Sequence, residues 1–209
     1  MSSYPADASP PQPQHSLEEE IRRYFRSRGI SYADHARGPD RFARLDFSFG
    51  TRAEKRLFTF DAKEKRQRYQ PGHWPENAIP EEHLFILDDL AARKVLAFAP
   101  NSGLLVRDNL RPAYYLFTIV DLFLMPKQRA NRPIGETLVK GKWMIDLRNG
   151  QRFATLEEAF AGIAAYLDAR ESIFSQVLAC YGAYVGEEID AGGVVRQARH
   201  WRVDVQQTR

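Results

Sequence analysis

The sequence predicts a single mixed α/β domain. Three observations lead there: a strongly capped helix where order begins, a run of short alternating strands after it, and a long amphipathic helix near the end. A chain of 209 residues buries one good core and is short for two. Its 44% hydrophobic and 27% charged content is ordinary for a globular protein. No apolar run reaches membrane-spanning length, and the N-terminus lacks the basic start and apolar centre of a secretory signal. Cys180 is the only cysteine, which excludes an internal disulfide framework and a cysteine-rich zinc site. The expected setting is reducing and cytoplasmic.

Residues 1–15, MSSYPADASPPQPQH, hold four prolines and little to bury, so they read as a disordered tail. The domain then spans 16–209, with its core in 16–150 and a helical and edge-strand extension in 151–209. Ser16 and Glu19 form a capping-box pattern. Leu17, Ile21, Tyr24 and Phe25 make an apolar stripe at helical spacing, and Gly29 supplies the stop. Residues 30–36, 43–49 and 57–63 read as three strands, the last two an antiparallel hairpin. The proline-rich run 69–80 reads as a long loop, functional or mobile.

The run from Glu81 to Pro100 fits either a strand followed by a helix or one continuous helix. GLLVRD, YYLFTIVDLFLM and GKWMIDLR read as strands, and Asn149-Gly150 as a hairpin turn leading into QRF. Thr155 and Glu158 open a second capped helix reaching towards Tyr181. VVRQARHWRVDV reads as an edge strand carrying Arg196, Arg199 and Arg202. This order is a mixed sheet rather than a regular alternation of strand and helix.

The hairpin raises a physical question. A turn centred between Ala53 and Glu54 sets Asp46 opposite Asp61, with Cβ atoms about 4.5–5.5 Å apart. Lys63 projects from the same face. Facing carboxylates repel unless a positive charge lies between them. Mg²⁺ fits that need, because it is a hard cation that takes carboxylate oxygens and retains waters. A lysine beside it can orient or deprotonate an attacking water, which is the equipment of metal-assisted phosphodiester hydrolysis. The triplet Asp61-Ala62-Lys63 is uninformative alone; its place at the end of an apolar strand gives it weight.

Charge points the same way. Residues 37–68 carry ten Lys or Arg against five acids, in a chain of net charge +3. Such a cluster suits a polyanion. Lys65, Arg66, Gln67 and Arg68 leave the sheet beside the carboxylates and are expected to contact phosphates. His35 and His73 have no neighbours at metal-ligand spacing and read as structural or surface residues, although His73 and Trp74 lie in the long loop, within reach of a substrate. Asp88, Asp89, Asp121 and Asp146 read as caps or surface acids.

Residues 16–68 resemble the PD-(D/E)xK nuclease superfamily, which includes Holliday-junction resolvases and many restriction endonucleases. The family core runs helix, three strands, helix, strand. The resemblance implies a restriction-endonuclease-like core in which Asp46 and Asp61 ligate the metal and Lys63 positions or activates water. It implies Glu18 as the helix acid and third ligand, with Glu20 the alternative. Leu45 rather than Pro precedes Asp46, while a literal Pro39-Asp40 stands six residues earlier. Asp46 is preferred because it is centred in an apolar segment.

The expectation is a Mg²⁺- or Mn²⁺-dependent deoxyribonuclease, a DNA endonuclease of repair, restriction or phage defence, acting as a homodimer or within a larger complex. The alternative is a non-catalytic nucleic-acid-binding or assembly module on the same fold.

Overall fold

The computed structural model describes residues 15–39, 41, 43–50, 57–69, 74–134 and 138–180, together with two short strands, Glu188–Ile189 and Val195–Arg196. Residues 1–14 of the expected tail, Asp40, the expected turn at Ala53 and Glu54, His73, and all of the expected edge strand 194–205 except Val195–Arg196 lie outside the described residues.

Helix α1 spans Leu17–Ser27. Ser16 caps it, its hydroxyl accepting from the Glu19 backbone N–H at 3.2 Å. The Glu19 carboxylate goes to Arg26 and Arg37 instead of closing the box. Gly29 adopts φ of 61° immediately after the helix, where a side chain would strain the turn. Strands β1 (Tyr32–Asp34), β2 (Phe47–Gly50) and β3 (Leu57–Lys65) follow, each antiparallel to the one before. The ambiguous run resolves into strand β4 (Leu84–Asp88) and helix α2 (Asp89–Ala97). Next come β5 (Ser102–Asp108) and β6 (Ala113–Thr118).

Two expectations are corrected beyond this point. YYLFTIVDLFLM is not one strand, because β6 ends at Thr118 and helix α3 (Ile119–Leu124) begins. The cause is a reciprocal cap: the Asp121 carboxylate accepts from the Thr118 N–H at 2.9 Å, and the Thr118 hydroxyl accepts from the Asp121 N–H at 3.4 Å. Asp121 is therefore a buried cap and not a surface acid. Asn149-Gly150 is not a hairpin turn either. Strands β7 (Lys127–Ile134) and β8 (Leu138–Asp146) belong to one sheet and β9 (Gln151–Phe153) to another. A 3₁₀ turn at Leu147–Asn149, begun by Asp146 accepting from the Arg148 N–H, carries the chain between them. Strand β7 had no forecast at all.

The main sheet has the order β1-β2-β3-β5-β6-β9, with β5 parallel to β3 and its other neighbours antiparallel. The second sheet is β4-β8-β7. Helix α4 (Leu156–Cys180) opens on the expected pair, the Thr155 hydroxyl accepting from the Glu158 N–H at 3.1 Å. It comes close to β9 because Gly162 leaves room for the Phe153 ring, which a Cβ there would meet at 2.3 Å.

One face of the main sheet holds an aromatic core. Phe25 of α1 and Phe160 of α4 lie 4.9 Å apart, centroid to centroid, and both rings touch Phe49. Phe47 and Phe60 stack across the β2–β3 pair at 5.6 Å. The alternation that buries Phe47, Phe58, Phe60 and Ala62 here turns Asp46, Ser48, Thr59, Asp61 and Lys63 to the opposite face. Helix α2 packs on that side, where the Ser102 hydroxyl donates to the Val95 carbonyl at 2.6 Å. Among the described residues, no helix is long and apolar enough to cross a membrane.

Candidate active site

The β2–β3 register decides whether the two aspartates meet. Phe47 pairs with Phe60, Ser48 with Thr59 and Phe49 with Phe58. Carried one residue back, this register sets Asp46 against Asp61, the arrangement expected from the sequence. Asp46 lies just before β2, and its carbonyl is held by the N–H groups of His35 and Ala36 at 2.9 and 3.2 Å. Its carboxylate crosses to β3, where Oδ2 accepts from the Ala62 N–H at 2.9 Å.

Lys63 closes the group. Its Nζ lies 2.7 Å from Oδ2 of Asp61 and 3.3 Å from Oδ2 of Asp46, and it donates to the Ala62 carbonyl at 3.2 Å. One ammonium thus sits between the two facing carboxylates and offsets their repulsion. Asp61 is 2% exposed. Burial raises its carboxyl to about 6 against the pull of Lys63, and Asp46 adds to the rise. Burial alone would lower the Lys63 ammonium, but Asp61 and then Asp46 outweigh it and hold it above its ordinary range. The cluster is short of positive charge where it is least hydrated.

The donor set fits a hard divalent cation. Two carboxylates and the Ala62 carbonyl surround the position of the Lys63 ammonium, and Mg²⁺ combines such oxygens with water. A third acid does not join them: among the described residues, no group of three or more His, Cys, Asp or Glu forms a metal cluster. Glu18 lies on the α1 side, where its carboxylate accepts from Arg22 at 3.2 Å. Arg22 also donates to Asp34 at 2.7 Å. Glu20 is taken by Arg107 at 2.5 Å and by the Tyr114 hydroxyl. Of the expected site residues, the structure brings together Asp46, Asp61 and Lys63 and leaves Glu18 apart.

The expected phosphate contacts divide. Arg66, Gln67 and Arg68 are exposed where β3 ends, and Arg66 donates to Glu64 at 2.8 Å. Lys65 is 0% exposed, and its Nζ donates to the carbonyls of Glu81 and Glu82 at 3.1 and 2.6 Å. Burial lowers its ammonium to about 8. Its structural role is to pin residues 81–82 to β3, and a phosphate has no access to it here. Lys65→Met is expected to cost about 1–3 kcal/mol of stability by orphaning two carbonyls, with no change in the salt dependence of nucleic-acid binding. Arg66→Gln with Arg68→Gln should flatten the plot of log affinity against log salt by about 1–2 units. Denaturant melts and binding isotherms at several salt concentrations separate the two roles, and an unchanged slope in the double mutant removes both arginines from the interface.

Sequence reasoning missed the backbone of Ala62, whose N–H and carbonyl both serve the cluster; no side-chain pattern marks such a contribution. His35 accords with its structural reading, its Nε2 lying 3.2 Å from the Ser48 hydroxyl, itself 3.1 Å from Thr59. No protein-family model, curated protein or solved structure matches the chain.

Proposed function

We propose that the chain is a divalent-metal-dependent nuclease that hydrolyses phosphodiester bonds of DNA, in a cytoplasmic repair, restriction or phage-defence role. One observation carries the reading: Asp46 and Asp61, on separate strands, converge with Lys63 on one buried, cation-seeking point. The order α1, β1–β3, α2, β5, with β4 inserted and β5 parallel to β3, supports a restriction-endonuclease-like core. Asp46, Asp61 and the Ala62 carbonyl would hold Mg²⁺ or Mn²⁺. When bound, the ion supplies positive charge to the phosphodiester and makes water a better nucleophile.

The chain's own groups do the rest. The Ala62 N–H fixes the Asp46 carboxylate, and burial keeps Asp61 poorly hydrated and receptive to a cation. With a metal held by the carboxylates, the Lys63 ammonium would be released to donate to the attacking water and orient it. The exposed Arg66 and Arg68 lie where the strand end meets solvent and can hold flanking phosphates.

The second reading, a nucleic-acid-binding or assembly module without cleavage, draws on Glu18, which is committed to Arg22 and supplies no third carboxylate. Incubation with plasmid, linear, branched and RNA substrates, in Mg²⁺ or in chelator, distinguishes the two. Metal-dependent products support the nuclease, and binding without products in any arm supports the module.

A further inference from the structure

The second sheet has two unlike faces. Pairing of Arg132 with Lys140 and of Asp88 with Lys142 puts these four side chains on one face with Ile86. The chain leaving β3 returns over that face: the Asn77 amide approaches the Met144 sulfur at 4.0 Å, and the Asn77 carbonyl oxygen accepts from the Ile79 N–H at 3.0 Å. Between segment and sheet lies a cavity of about 430 Å³ lined by Tyr69, Trp74, Ile86, Arg132, Lys140 and Lys142. That volume falls within the range of ligand sites.

Its lining pairs flat aromatic surface with cations. The Tyr69 and Trp74 rings meet edge to face at 6.3 Å, and the Arg132 guanidinium lies 5.0 Å from the centre of Trp74. Lys140 is 3.2 Å from Asp88, and Lys142 also bonds that carboxylate. Asp88 stands at the N-cap of α2, yet its side chain makes no cap. It holds the two lysines towards the cavity instead, leaving three cations against one acid.

We propose that this cavity is a nucleotide subsite, in which a base stacks on Trp74 beside Tyr69 and its phosphate is held by Arg132, Lys140 and Lys142. Aromatic faces beside cations are how unpaired nucleotides are bound without sequence preference. Tyr69 stands six positions after Lys63, so this side of the cavity lies within about 20 Å of the carboxylate cluster along the chain. A single strand reaching Asp61 can place a nucleotide a few steps away in the cavity. The assignment rests on the nuclease reading for the source of that nucleotide, while a free mononucleotide offers the same chemistry.

The test is fluorescence polarisation in chelator with a labelled oligothymidylate, a blunt duplex, and AMP and UMP as competitors. Wild type is compared with Trp74→Ala, Trp74→Phe and Arg132→Gln, each checked by its melting curve. Trp74→Ala should weaken single-strand binding about 5- to 100-fold, Trp74→Phe should recover much of it, and Arg132→Gln should weaken it with a shallower salt slope. Duplex binding should change little. Mononucleotides that compete as strongly as the oligonucleotide uphold the subsite and assign it a free nucleotide. Single-strand binding unchanged in both Trp74→Ala and Arg132→Gln overturns it, as does a wild type that binds neither ligand. Metal-dependent cleavage is scored separately: a lost subsite with cleavage intact leaves the nuclease reading standing, and stacking without cleavage leaves only the subsite.

Discussion

Asp61→Asn is expected to melt several degrees above the wild type at neutral pH without metal, while losing both cleavage and the stabilisation that Mg²⁺ gives the wild type. The buried Asp61 carboxyl is raised to about 6, chiefly by desolvation, with Asp46 adding to it. Keeping it ionised at neutral pH thus costs on the order of 3 kcal/mol. Because the folded value lies above the unfolded one, the penalty is fully present above about 6 and fades as pH falls towards the ordinary carboxylate range. The amide removes the penalty but leaves Lys63 with one carboxylate fewer, so a net gain of about 3–6 °C is expected. Melting curves across the acid range check the sign: the mutant's advantage should shrink as pH falls. A mutant that melts below wild type at neutral pH, by a margin insensitive to pH, contradicts the account of this carboxylate. In the wild type, added Mg²⁺ should raise the midpoint by mass action, and in the mutant it should not.

Lys63→Met should divide chemistry from metal binding. Its ammonium has two expected tasks: holding Asp46 and Asp61 together without metal, and handling the attacking water with it. Positioned acid–base groups contribute about 10²–10⁴-fold in rate, and turnover should fall by that order. Affinity for Mg²⁺ should stay equal or tighten, since a cation no longer competes for the same oxygens. Those oxygens repel one another when the ammonium is gone, so the metal-free mutant should melt lower, with a larger Mg²⁺-dependent recovery than wild type. The ammonium is held above its ordinary range by both aspartates, so its stabilising effect is complete at neutral pH and is lost only in strong alkali. Single-turnover cleavage and thermal melts, each with and without Mg²⁺, provide the check. Cleavage at the wild-type rate reduces Lys63 to a structural cation.

The heart of the site was legible because it depends on parity. Phe47, Phe49, Phe58 and Phe60 must share the buried face, which forces Asp46 and Asp61 to share the other, and the β2–β3 register sets them opposite. What lay hidden depends on distant partners. Lys65 has the parity of Lys63 and the same local charge, but residues 81–82 return over it and bury it. The helix acids were indistinguishable by periodicity. Arg107 and Tyr114 claim Glu20 from positions that helical spacing cannot forecast, while Arg22 claims Glu18 from one turn on in the same helix. The apolar run 114–125 fits strand and helix equally, and the Thr118–Asp121 cap decides between them. Strand β7 is polar because both its faces are exposed over Arg129, Asn131, Arg132 and Pro133, so it gave no apolar signal. Lys140 and Lys142, flanking Gly141 two positions apart, did carry a readable hint of one basic strand face.

Calorimetric titration of Mn²⁺ into wild type and Asp46→Asn decides whether Asp46 and Asp61 together form a divalent-cation site. The asparagine can still accept from the Ala62 N–H through its carbonyl oxygen, so the strand pair should hold while one charged ligand disappears. The wild type should give a saturable one-to-one isotherm that is abolished, or weakened at least tenfold, in the mutant. Identical isotherms for the two proteins, or no binding by the wild type, would contradict such a site.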